Sequence, residues 1–414
     1  MGQRVLIGVI LSAMTNPWRV GVLPILVPVL LLAGMVPQSA AQETSVGKGR
    51  AQSPMTQTVS AEEIAGATMR GVAILLEMQS GEGNVEWPYE GVYRVRREIP
   101  MGYRVGGTAI SIMALIGAPG LKDDVERIEA IGRGLGFIAK GTDEPDMSEA
   151  MYQAGYDVRG WGYIYGLHAI VRSMAAGVVP ADGAEACDQA AAWYLDALQK
   201  IEMPETGGWN YARPDGRDTK GSPSTFMTGP AIQVLLEAKA AGMNVDQAVL
   251  DRAVSFMEKA RNASGSVQYA GFAATNPKRM EATPGAVGRM VVTNATLMMA
   301  GKGDLDDLRG SIDGFIVHWE WLNIRRAKTG THVAPYSIAP YYFMYAHRYA
   351  AQAIEWLPEN ERAEYRRRVN GLLFSVRQED GRWNDRVFDR SAAYGTAMAM
   401  LAMNEPRAAK DTKE

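Results

Sequence analysis

From about residue 61 onward the hydrophobic positions recur with helical spacing, and no long run alternates with a period of two. Two kinds of helix take turns along the chain. The first kind sets an apolar stripe beside a charged one, as in Leu250-Asp-Arg-Ala-Val-Ser-Phe-Met-Glu-Lys. Helices of this kind are predicted over Gly71–Gln79, Gly132–Ala139, Ala190–Lys200, Leu250–Arg261, Ile312–Ile324 and Tyr365–Gln378. The second kind is apolar on every side and built largely of Ala, Gly, Thr and Met. Its six starts fall at Gly107, Gly166, Gly229, Asn294, Ala339-Pro340-Tyr341-Tyr342 and Gly395, the first four roughly 60 residues apart. Each pair is joined by a loop bearing an aromatic or imidazole ring: Glu86-Trp87, Gly160-Trp161, Gly208-Trp209, Gln268-Tyr269, Thr331-His332 and Arg382-Trp383.

A hairpin of this kind cannot bury its apolar face alone, so neighbours must stack. Helices that are apolar all round belong inside, and striped ones belong outside them. The first and last units lack obvious polar caps, which favours a closed ring over an open solenoid. The expected fold is therefore all-α: an α/α toroid of about six hairpins over residues 61–404, followed by a polar tail over 405–414.

The N-terminal residues read differently. Val20–Val36 is an apolar run broken by Pro24 and Pro28, led by Arg19 and followed by Ser39-Ala40-Ala41. This is the pattern of a signal peptide over residues 1–41, with Met14 as a second candidate start, and export to the periplasm or medium is expected. An uncleaved leader acting as an anchor is the alternative. Residues 42–60 read as a linker, and no transmembrane span is expected in the mature chain. The chain carries 43 Lys+Arg against 46 Asp+Glu, so no basic excess points to nucleic acid. Cys187 is the single cysteine, which leaves no disulfide framework despite the expected export and reads as a buried thiol.

The segment Arg377-Gln378-Glu379-Asp380-Gly381-Arg382-Trp383 resembles the Gln-x-x-Asp-Gly-x-Trp loop of squalene cyclases and prenyltransferase β-subunits. Looser copies run from Gln199 to Trp209 and from Gln79 to Trp87, each followed by a Ser/Thr-bearing inner helix. The resemblance spans about residues 65–404 and implies the α/α toroid of that family, but not its chemistry. The family's Asp-x-Asp-Asp acid appears as Asp304-Leu-Asp306-Asp307, in the wrong half of a hairpin. There Asp304 suits an N-cap, and Asp306 and Asp307 suit the first turn of the following helix. The zinc set of a prenyltransferase would need Cys187 beside histidines that are in fact scattered (His168, His318, His332, His347), so no metal and no cofactor is expected.

All six ring-bearing loops should lie on one face of the toroid, forming a mouth of aromatics, acids and arginines. Stacking and hydrogen bonding there suit a polar small molecule, an oligosaccharide or a peptide, with a protein partner also conceivable. The candidate ligand-binding residues are Trp87, Arg159, Trp161, Trp209, Tyr211, Arg213, Trp383 and Arg386. Candidate catalytic groups are the acids Asp157, Asp215 and Asp385 with His332 or Tyr336 as a base, although spacing singles out no pair. Two functions follow: a secreted toroid that binds at its mouth without terpenoid chemistry, or an exported carbohydrate-active hydrolase or lyase. A terpenoid cyclase comes third. Whether the protein is an enzyme stays open on the sequence.

Overall fold

The computed structural model describes residues 58–91, 97–150, 158–211 and 221–411, with backbone alone over 406–411. The outer helices are α1 (Ala61–Met78), α3 (Val125–Lys140), α5 (Ala184–Lys200), α7 (Gln247–Lys259), α9 (Leu305–Arg325) and α11 (Glu359–Phe374). The inner helices are α2 (Met101–Gly117), α4 (Arg159–Ala176), α6 (Thr225–Ala240), α8 (Thr283–Met299), α10 (Tyr342–Ile354) and α12 (Ala392–Asp411). Each inner helix packs on the next, and α12 packs back on α2, which closes the ring. Outer helices lie mainly against the inner helix that precedes them. So α3 covers α2, α5 covers α4, and α1 covers α12, sealing the last hairpin with the first. Among the described residues there are isolated β-bridges but no strand. The chain forms the six-hairpin α/α toroid that the alternation of helix types predicts, and α12 runs on past residue 404 to Asp411.

Side-chain caps are found on four of the six outer helices, whereas α5 and α11 start without one. Ser60 caps α1 in a reciprocal capping box with Glu63, and Asp124, Asp246 and Asp304 cap α3, α7 and α9. The acidic triplet is consumed here. Asp304 accepts from the amides of Asp306 and Asp307, Asp306 pairs with Arg309 at 2.7 Å, and Asp307 pairs with Arg261. The inner helices α2, α4, α6, α8 and α10 start with no side-chain cap at all.

Three loop tryptophans pin the hairpins by one repeated device. The indole N–H groups of Trp87, Trp209 and Trp383 donate to the carbonyls of Leu75, Leu198 and Leu373 at 2.6, 2.7 and 2.9 Å, near the ends of the preceding outer helices. Their backbone N–H groups donate to the hydroxyls of Thr108, Thr228 and Thr396 on the following inner helices at 2.9, 3.0 and 3.2 Å. This threonine sets the true register of the repeat. Gly107 and Gly395 precede it because a Cβ there would lie 2.4 Å from the Trp87 carbonyl oxygen and 2.3 Å from that of Trp383. Gly229 follows its threonine, so Met227, not Gly229, is the residue equivalent to Gly107.

Trp161 also departs from the expected pattern, lying in the first turn of α4 rather than in a loop. The loop that holds this turn in place is the next one. The N–H of Gly160 donates to the Tyr211 carbonyl at 2.5 Å, and a Cβ at Gly160 would stand 2.2 Å from that oxygen. Gly160→Ala is expected to lower the unfolding free energy by about 1–3 kcal/mol in urea denaturation, because backbone cannot give way as a side chain can.

The axis of the ring is filled. Tyr165 of α4 and Tyr349 of α10, on opposite sides, touch through their hydroxyls at 3.2 Å. Gln233 of α6 bonds Gln352 of α10 at 2.8 and 3.0 Å, and Arg348 pairs with Glu405 of α12. Glu237 is gripped by both Arg172 and His168. Buried charges paired in this way keep their desolvation cost small enough to be tolerated. The loops that lead into the inner helices gather at the end where those helices begin.

Candidate functional site

At that end two groups of rings meet. The first joins Tyr89, Tyr103 and Trp161 with Tyr165 and Tyr394. Its centroids are separated by 4.4 Å (Tyr89 to Tyr394), 5.2 Å (Tyr89 to Tyr103), 5.4 Å (Tyr103 to Trp161) and 5.0 Å (Trp161 to Tyr165). The second centres on Phe226, stacked on Tyr345 at 4.1 Å, with Tyr341 and Tyr342 beside it. Arg289 extends over the rings of Tyr269 and Tyr342, its guanidinium held by Glu281 and by the Gly285 and Val267 carbonyls. Burial pushes the hydroxyls of Tyr165, Tyr345 and Tyr394 well above the ordinary tyrosine value, so at neutral pH they remain protonated donors.

Arg386 lies between the groups. It is 3% exposed and within electrostatic reach of Tyr89 and Tyr103 on one side and Tyr341 on the other. Asp385 beside it is wholly buried. Neither of its oxygens meets a donor at hydrogen-bonding geometry, although the amides of Asp385 itself and of Met344, in the first turn of α10, act on it electrostatically. Desolvation raises its pKa to about 7 against the downward pull of Arg386 and Arg326. A carboxyl in that state is a proton donor at neutral pH.

The remaining candidates divide. Trp161, Tyr211, His332, Asp385 and Arg386 belong to the mouth or its rim. Tyr211 meets Tyr269 through their hydroxyls at 3.4 Å, and the exposed His332 meets the Tyr341 hydroxyl at 3.0 Å. Arg159 is buried and donates to the Ser148 carbonyl. Asp157, Arg213 and Asp215 lie outside the described residues. Trp87, Trp209 and Trp383 are not available to a ligand. Their rings are 1%, 0% and 0% exposed and their indole N–H groups are spent on backbone carbonyls. Tyr336 is turned toward the outer layer, its ring 4.9 Å from that of Trp321 on α9.

Tyr165, Tyr345, Tyr349 and Tyr394 escape a reading that looks only at loops, since all four lie inside helices. The sequence does not separate them from Tyr163, a tyrosine of inner helix α4 whose ring packs outward on Trp193 and Tyr194 of α5. Among the described residues no group of three His, Cys, Asp or Glu side chains converges as a metal set, and no helix is long and apolar enough to cross a membrane. Cys187 is buried at a groove of about 650 Å³ between α3 and α5, and desolvation raises its pKa, which keeps the thiol unreactive.

No protein-family model and no curated protein matches this chain. Solved structures do. An unsaturated glucuronyl hydrolase from Streptococcus agalactiae superposes with a TM-score of 0.57 at 12% identity, over 88% of this chain and 97% of that one. An inactive variant of an α-1,6-mannanase from Salegentibacter, in complex with α-1,6-mannotetrose, gives 0.52 at 14% identity over 82% and 98%. The type II terpene cyclase MstE from Scytonema, holding geranylgeranyl dihydroxybenzoate, gives 0.51 at 13% identity over 84% and 98%. At these identities the likeness establishes a shared architecture: the chain is an α/α toroid of the kind used by both glycan-cleaving enzymes and terpene cyclases.

Proposed function

We propose that this is an exported α/α-toroid protein that binds a hydroxylated ligand, such as a short oligosaccharide, in the tyrosine-lined chamber at the N-terminal ends of its inner helices. The observation that carries this reading is the convergence of Trp161 with Tyr89, Tyr103, Tyr165 and Tyr394 beside Arg386. Rings with hydroxyls can stack on a sugar face and bond its hydroxyls at once, whereas a chamber for a purely hydrocarbon chain would favour phenylalanine. The leader-like residues 1–41 support export. A second reading has its own support. Asp385, titrating near 7 in the same chamber, has the protonation state a general acid needs, so hydrolysis or elimination of a bound glycan would find its acid there. Terpenoid chemistry is the weaker alternative, because Asp304, Asp306 and Asp307 are occupied by capping and ion pairs.

The test is a thermal-shift screen of the purified protein against neutral and acidic oligosaccharides, peptides and isoprenoids. One saccharide class should raise the melting temperature saturably. In Trp161→Leu that ligand should bind at least tenfold more weakly, since stacking is lost while apolar bulk is kept. Saturable binding that is indifferent to Trp161 would move the site elsewhere and end this reading.

A further inference from the structure

Three other buried arginines have a carboxylate to pair with: Arg127 takes Asp124, Arg289 takes Glu281, and Arg348 takes Glu405. Arg386 differs in its charge pairing: it forms no ion pair with a carboxylate among the described residues, and its Nε meets no acceptor. The adjacent acid, Asp385, meets no side-chain donor, and only the amides of Asp385 itself and Met344 approach its oxygens. A guanidinium this deeply buried and unneutralised is expensive unless an anion arrives to complete it. The wider field has the same sign. Five inner helices begin at this face without a side-chain cap, and each brings the positive end of its dipole.

We propose that Arg386 is the anion receptor of the chamber and binds the carboxylate of an acidic, hydroxylated ligand, ringed by Tyr89, Tyr103 and Tyr341. The assignment rests on the chamber reading above and narrows its ligand class. A planar carboxylate matches the guanidinium fork in a two-bond contact that a neutral sugar cannot make.

Asp385 makes this binding depend on pH. Four other groups face it: Arg386 from its own loop, Arg326 from the loop before α10, the Met344 amide from α10 and Tyr394 from α12. Arg386 in turn is faced by Tyr89, Tyr103, Tyr341 and Asp385. While Asp385 keeps its proton, both arginines attract the ligand unopposed. Once it ionises, above about 7, it neutralises Arg386 and repels the incoming carboxylate. Binding then draws on the protonated fraction alone, and affinity should fall roughly tenfold between pH 6 and pH 8.

Ligand-observed NMR titrations of the full chain with galacturonate, galactose and inorganic phosphate, at pH 6 and pH 8, test this. Galacturonate should bind at least tenfold more tightly than galactose at pH 6, and Arg386→Gln should abolish that preference. Asp385→Asn should keep the preference and remove the pH dependence. If Arg386→Gln does not fold, Arg386→Lys, which keeps the charge but loses the fork, should show a reduced preference. Galactose and galacturonate binding equally, with Trp161→Leu weakening both, would overturn the anion receptor and leave the chamber reading standing. Phosphate binding through Arg386 without galacturonate would overturn the carboxylate assignment. Binding of neither sugar, or binding indifferent to both Trp161 and Arg386, would remove the chamber reading and the receptor together.

Discussion

Trp209→Ala is expected to destabilise the fold by about 3–5 kcal/mol, the range for removing a fully buried large aromatic side chain. The ring is 0% exposed, and its indole N–H closes the end of α5 through the Leu198 carbonyl at 2.7 Å. Alanine would leave both a cavity and an unsatisfied carbonyl at the junction of α5, α6 and α7. Trp209→Phe separates the two effects. It fills most of the space and loses the hydrogen bond, and should cost nearer 1–2 kcal/mol. Urea denaturation followed by circular dichroism measures both. A midpoint for Trp209→Ala that matches the parent protein would show that the tryptophan does not pin the hairpin.

The second large effect concerns pH. Asp385 titrates near 7 in the folded chain and near its ordinary value of 3.8 once unfolded. Between those two values the folded state holds a proton that the unfolded state has released. Stability from this group is therefore fully present below the unfolded value, declines as pH rises through the interval, and is flat above about 7. The loss amounts to as much as about 4 kcal/mol over the whole window. Asp385→Asn has nearly the same shape and cannot ionise. Its stability advantage over the parent protein should be small near about pH 4, grow through neutrality and level off above about 7. Other groups titrate equally in both proteins, so the difference between the two curves is what matters. Parallel curves from acid to alkaline pH would mean that Asp385 is ionised in the folded protein, and its role as a proton donor would go with it.

The layering of the fold was legible because burial leaves a periodic trace. A helix such as α7, apolar on one side only, must lie outside, and a helix such as α8, buried on nearly every face, must lie inside. Six alternations of the two kinds leave little choice but a toroid. The Asp304 cap was equally legible, since capping is a local matter of one side chain and the next two amides. The tryptophans were not. Trp87, Trp209 and Trp161 all follow or include a glycine-rich stretch, yet two pin hairpins and the third faces the chamber. Only the register of the following helix decides, through whether a threonine stands ready to take the Trp N–H.

The sequence by itself determined the number of hairpins, their order, which helix of each pair faces inward, and the face on which the loops gather. Those properties follow from short-range periodicity, which composition within a few turns dictates. The tertiary structure alone decided which aromatics line the chamber, because Tyr89, Trp161 and Tyr394 come from widely separated parts of the chain and meet only when α12 packs on α2 and closes the ring. It also decided that Asp385 titrates near 7 and that Arg386 forms no ion pair with a carboxylate among the described residues. Both are consequences of desolvation, and how much water a side chain loses depends on neighbours that closing the ring brings from hundreds of residues away.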